Sequence, residues 1–313
     1  MLYHLLLQTV KTQQSAGVSP GQPHLLLYEL DDGEDVKKAV NDLSQAASGG
    51  SLYVIADEVM SEWSLGYRIQ NFWTLCDKLL TPRLHLWAAC CYHEYAPAGW
   101  QVECLTRPLR SPPAVVREVE QDEKMTTHRY VHPYNKRGVP DHTDGPPVKR
   151  LYHRSQGHSG YFPVDCVTCG REVASFLHSL RVGVTESSTT TSTTLTSTSS
   201  GTTPCLQWRD VLVLHSNYVS DNSGVVTGLQ EAGIPVQVMK DDDIEDVATA
   251  RTDVVWVSSR DHVRGLERKV VVCVKDYEFE RSAIYLEQYN LSSVRLDLMS
   301  RCTSQLVIVS PDD

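Results

Sequence analysis

Outside two irregular stretches, apolar runs of strand length alternate with segments of helical spacing along the chain. PHLLLYEL (Pro23–Leu30) reads as a short buried strand. DDGEDVKKAVNDLSQAA follows it, with an acidic first turn and apolar residues at Val36, Val40 and Leu43, the pattern of a helix lying on a sheet. SLYVIADEV is a second strand ending in two acids, Trp63 to Leu80 has helical spacing, and RLHLWAACC is a third strand. Further on, DVLVLHS, the end of VVTGLQEAGIPVQVM, DVVWVSS, KVVVCVK and QLVIVS read as strands, and SAIYLEQYNLSSVRLDLMSR as a helix. Val, Ile and Leu runs bounded by polar turns mark strands buried on both faces, and their alternation with helices predicts parallel α/β sheets in two blocks.

The first irregular stretch runs from about Gln121 to Pro163 and is rich in Pro, Gly, His and Lys/Arg. The second, Glu186 to Pro204, is a Ser/Thr tract that has little apolar surface to offset its ordering entropy, so a loop is expected there. These breaks divide the chain into 1–121, an irregular insertion 122–165, and 166–313 interrupted by the loop 186–204.

The 313 residues are 41% hydrophobic, 22% charged and 8% aromatic, enough to bury a core. No run approaches the roughly 18 apolar residues needed to span a bilayer. The opening MLYHLLLQTV lacks a basic flank and a cleavage site, and reads as a helix. Nine cysteines, several in apolar runs, do not suggest a disulfide scaffold; an intracellular, reducing setting is expected. The net charge of -10 restricts any nucleic-acid groove to a local patch. Lys136, Arg137, Lys149, Arg150 and Arg154, interleaved with Tyr130, Tyr134 and Tyr152, offer such a patch, or else a solvated loop balanced by Asp141 and Asp144.

Four segments carry candidate chemistry. Asp57 and Glu58 end a strand, where one carboxylate can hold Mg²⁺ and the next can activate water. Gly265 and Glu267 lie in VRGLE between two strands, where a carboxylate can accept bonds from a ribose hydroxyl. Arg301 precedes the last strand, where an Arg can stabilise developing phosphate charge, and Arg110 precedes a Ser-Pro-Pro helix start. Taken singly, each segment is also explained as a solvated turn or strand end.

In this order, IADE, LRSP, VRGLE and MSRCTSQL resemble the Walker B, fourth, fifth and sixth motifs of superfamily 1 (UvrD/Rep-like) helicases. Within that superfamily the chain most resembles the helicase-like C-terminal region of Schlafen proteins. The resemblance covers roughly Leu25 to Gln121 and Cys166 to Ser310. It implies two RecA-like P-loop NTPase lobes and ATP hydrolysis coupled to translocation or unwinding of single-stranded DNA or RNA. It further implies Asp57 as Mg²⁺ ligand, Glu58 as base, Gly265 and Glu267 at the nucleotide sugar, and Arg110 and Arg301 at the γ-phosphate. Two departures stand against activity. No G-x-x-x-x-G-K-[ST] occurs, which removes the phosphate cradle, and LHLWAACCYHEYAPAGW lacks the acid and Gln of the third motif. The chain reads as starting just after the missing loop, with MLYHLLLQTVKTQQ as the helix that would follow it. A longer product or a truncated gene is the expectation, as is weak or absent hydrolysis. The competing expectations are a non-catalytic interaction or regulatory module on a helicase scaffold, and a zinc-stabilised nucleic-acid-binding protein.

The zinc expectation comes from HRSQGHSGYFPVDCVTCG, which holds His153, His158, Cys166 and Cys169. Two imidazoles and a C-x₂-C are the right ligand types, although the His pair precedes the Cys pair and is spaced H-x₄-H. The same stretch opens an amphipathic helix with Val173, Phe176, Leu177 and Leu180 on one face, so Cys166 and Cys169 also read as ordinary helix-start residues.

Overall fold

Residues 2–17, 23–30, 32–48, 50–56, 59, 65–79, 84–89, 99–103, 110–121, 144–154, 156–182, 206–215, 218–259, 262–263, 265–276 and 298–312 are described by the structure, a computed structural model. Asp57, Glu58, Lys136, Arg137, Tyr130, Tyr134 and the tract 186–204 lie outside them.

The architecture is mixed α/β with parallel sheets. The N-terminal part supplies helices α1 (Leu2–Ser15), α2 (Gly33–Ser48) and α3 (Leu65–Leu79). β1 (Leu52–Ala56), between α2 and α3, pairs in parallel with β2 (Leu84–Ala88), which follows α3. Phe72 and Cys76 of α3 are buried with Val59, and Leu86 and Ala88 of β2 pack against them. Pro23–Leu30, expected as a strand, instead runs as irregular chain. Leu25, Leu26 and Leu27 are exposed there, and the segment is tied to helices: Tyr28 donates to Asp42, the Glu29 amide donates to Asp35, and Asn71 donates to the Leu30 carbonyl. Apolar character alone does not make a strand; a ladder partner is also needed.

The larger sheet has six strands. They are β3 (Lys149–His153), β4 (Val211–His215), β5 (Val236–Val238), β6 (Val255–Ser259), β7 (Arg268–Val274) and β8 (Cys302–Pro311). Their order is β3-β8-β7-β4-β6-β5, and each neighbouring pair is parallel. Strand alternation sorts the side chains onto two faces. Val211 and Val213 of β4 join Val270, Val272, Val274, Val307 and Val309 beneath α5 (Val167–Val182) and α6 (Gly224–Glu231). Leu212 and Leu214 face the other way, with Trp256, Val271, Cys273 and Ile308, under α4 (Pro113–Glu120) and α7 (Ile244–Thr249). Burial on both faces explains why β4, β6, β7 and β8 read as continuous apolar runs.

Strand β3 comes from the stretch expected to be an irregular insertion. It pairs with β8 at the sheet edge, where Lys149, Arg150 and Tyr152 are exposed and only His153 is buried. A charged edge strand carries little of the apolar signal that marks an inner one.

Helices α5 and α6 meet backbone to backbone. A Cβ on Gly228 would lie 2.2 Å from the Val167 carbonyl oxygen, and one on Gly170 would lie 2.9 Å from the Gly228 Cα. Only glycine permits this approach, which seats the first turn of α5 firmly above the sheet.

Candidate functional site

Four side chains converge where β3 meets α5. His153 ends β3, His158 lies in the following loop, Cys166 closes the 3₁₀ turn Pro163–Asp165, and Cys169 sits in the first turn of α5. Their ligand atoms all lie within 4.8 Å of one another. His158 Nδ1 is 3.3 Å from Cys169 Sγ and 3.4 Å from Cys166 Sγ, and His153 Nδ1 is 3.4 Å from Cys169 Sγ. Tetrahedral Zn²⁺ with bonds of about 2.0–2.1 Å to nitrogen and about 2.3 Å to sulfur requires ligand-to-ligand edges of roughly 3.4–3.8 Å. The three His–Cys separations lie at the short end of that range, and every pair of ligand atoms lies within 4.8 Å. Both cysteines are free and fully buried.

The local chain geometry holds this arrangement without the metal. The Cys169 amide donates to Cys166 Sγ at 3.3 Å, and Thr168 donates to the Gly157 carbonyl at 3.3 Å. The Val167 amide donates to Ser159 Oγ at 3.2 Å. Gly160, at φ +81°, makes the return turn; a Cβ there would lie 2.8 Å from the Asp165 carbonyl oxygen. Outside the cluster, His158 Nε2 faces Glu172 Oε1 at 3.8 Å. A ligating histidine commonly has an outer carboxylate of this kind.

Electrostatics follow from burial. Burial, then the neighbouring His158, holds His153 below the ordinary imidazole range, with Asp276 and Glu172 opposing. Burial, then its bond and charge coupling with Cys166, pushes the Cys169 thiol above the ordinary thiol range. Buried thiols in these surroundings are unreactive until a cation takes the place of their protons. The cluster can therefore hold a metal ion, and with four protein ligands it leaves no open position for chemistry.

Arg110, Gly265, Glu267 and Arg301 gather elsewhere, at the opposite ends of the strands. Arg110 Nη1 lies 2.8 Å from Glu267 Oε2, an ion pair without hydrogen-bond alignment. Ser111 donates to the Ser300 carbonyl at 3.1 Å across 189 residues. The Arg268 amide donates to the Arg301 carbonyl at 3.0 Å. Gly265 stands at φ +73° in the turn before β7. Arg110, Gly265, Glu267 and Arg301 are thus neighbours, while Asp57 and Glu58 fall outside the described residues.

Sequence reasoning missed a buried polar pair on the carboxyl side of the sheet. His215 Nε2 lies 2.7 Å from Asp276 Oδ2, and the two side chains are 4% and 8% exposed. Both residues end apolar strands, which is the only trace they leave in the sequence.

No protein-family model matches the chain, and no curated protein is significantly similar to it. Among the described residues no helix is long and apolar enough to cross a membrane.

Proposed function

We propose that the chain is a helicase-like α/β module stabilised by a structural Zn²⁺ bound to His153, His158, Cys166 and Cys169. The observation that carries the zinc reading is the tetrahedron-sized cluster, with ligand atoms all within 4.8 Å of one another. Two thiolates and two imidazoles select Zn²⁺ over hard cations, and full protein ligation makes the role structural. Zinc would clip β3 to α5 and so join the strand edge to the main helical layer. The test is metal content of protein purified without chelator: about one zinc per chain is expected. Melting should fall on chelation and recover with Zn²⁺. Metal-free protein whose melting ignores both chelator and zinc would dismiss the reading.

The activity we assign to this scaffold is that of its helicase-like motifs, ATP hydrolysis coupled to movement on single-stranded DNA or RNA. The contacts Arg110–Glu267 and Ser111–Ser300 favour it, since three sequence-distant motifs meet at one edge. In such a motor Glu267 would meet the nucleotide sugar, Arg110 and Arg301 the γ-phosphate, and Asp57 and Glu58 the Mg²⁺ and the attacking water. The 313 residues contain no G-x-x-x-x-G-K-[ST], so on their own they hydrolyse ATP poorly. A robust Mg²⁺-dependent ATPase that disappears in Glu58→Gln would overturn this weak-hydrolysis expectation. If instead neither ATP nor single-stranded oligonucleotide binds, the scaffold serves as a non-catalytic interaction module.

A further inference from the structure

We infer that Asp276 is a positioning residue for the metal centre, placed to accept the outer ring N–H of His153 on its unpartnered Oδ1 when the metal binds, while His215 holds Oδ2. The inference rests on the zinc reading given above.

His153 is level with Pro311 across β3 and β8, and Val274 is level with Val309 across β7 and β8. Two residues beyond Val274, Asp276 therefore comes level with Pro311 and lies in one row with His153. Leu151, Val309 and Val274 all pack on the α5 and α6 side. Period-two alternation puts His153, Pro311 and Asp276 on that same side. Strands stand about 4.8 Å apart, so the two Cα atoms are roughly 10 Å from one another with only a proline ring between. An imidazole and a carboxylate can bridge such a span.

The hydrogen-bond inventory points the same way. His153 directs Nδ1 at Cys169, so the ring must present Nε2 elsewhere. Asp276 is 8% exposed, and its Oδ2 is taken by His215. Its Oδ1 is buried and has no hydrogen-bond partner among the described residues. A buried carboxylate oxygen without a donor is costly, and a metal-ligating histidine needs an acceptor for its second N–H. Asp276 lies close enough for its charge to act on His153. His158 has its own outer carboxylate in Glu172, so each ligand histidine would have one.

The experiment compares zinc-loaded wild type with Asp276→Ala and Asp276→Asn. Zinc affinity is read by competition with a chromophoric chelator, and the His153 Nε2–H is read by long-range ¹H–¹⁵N NMR of its ring. Wild type should show a slowly exchanging, downfield Nε2–H on an imidazole bound through Nδ1. Asp276→Ala should weaken zinc binding about 10- to 100-fold and expose that proton to exchange. Asp276→Asn keeps the shape, and it supplies the measurement should the alanine variant fail to fold. It should weaken binding less and shift the Nε2–H signal upfield. A wild type that binds no zinc would end the zinc reading itself. A wild type that binds zinc while Asp276→Asn leaves both affinity and the Nε2–H resonance unchanged would overturn only the role of Asp276.

Discussion

Arg110 Nη1 stands 2.8 Å from Glu267 Oε2, which joins the turn before α4 to the turn before β7. The Arg110 side chain is 74% exposed, so this contact is a poor source of stability. Arg110→Ala and Glu267→Gln should each change unfolding free energy by less than about 1 kcal/mol, with a coupling of a few tenths in a double-mutant cycle. Urea unfolding of the four proteins checks this. A conserved fold in both variants is also what allows them to be used in nucleotide-binding measurements.

A different outcome is expected at Gly228. A Cβ at this position would overlap the Val167 carbonyl oxygen at 2.2 Å and approach the Arg171 nitrogen at 2.8 Å, both of them backbone atoms that cannot rotate away. Gly228→Ala should cost about 3 kcal/mol, seen as a lower urea midpoint at unchanged slope. Gly33, at the start of α2, has nothing within 4 Å of its Cβ position. Gly33→Ala should be neutral or slightly stabilising in the same assay.

Arg150 and Glu118 tie the edge strand to α4. Arg150 Nη2 donates to Glu118 Oε2 at 2.5 Å, and the Glu118 side chain is only 5% exposed. Removing the cation takes a close charge partner from a buried carboxylate. Arg150→Ala should destabilise the fold by about 3 kcal/mol, and adding Glu118→Gln should recover part of that loss. Thermal or urea melts of the single and double variants decide it.

The metal-free protein should weaken on mild acidification. His153 is held below the ordinary imidazole value of 6.5 by burial, so the native state favours its neutral form. That contribution is complete above 6.5 and is lost as pH falls from there through the lowered native value. Melting temperature of chelated protein followed from pH 8 to pH 5 should drop in that window. His153→Gln should flatten the lower part of the curve.

The inner strands were legible in the sequence because burial on both faces leaves uninterrupted apolar runs, as in Val270–Val274 and Leu306–Val309. Strand β3 was not, because an edge strand exposes Lys149 and Arg150 and so resembles a loop. The opposite error arose at Leu25–Leu27, an exposed apolar run just before Tyr28 and Leu30, where side-chain bonds fix the chain to helices. At the metal cluster the ligand types were readable, whereas the geometry was not: a strand end, a glycine turn and a helix start had to be brought together. Asp276 and His215 stayed hidden because a row across parallel strands has no signature along the chain.

The glycine contact between α5 and α6 has a mechanical consequence. With Val167 and Gly228 in backbone contact, no compliant layer of side chains lies between the two helices. A shift of the first turn of α5, where Cys169 sits, should therefore be felt at Ser223, the N-cap of α6. A metal ion held by Cys166 and Cys169 would thus restrain the start of α6 as well as that of α5.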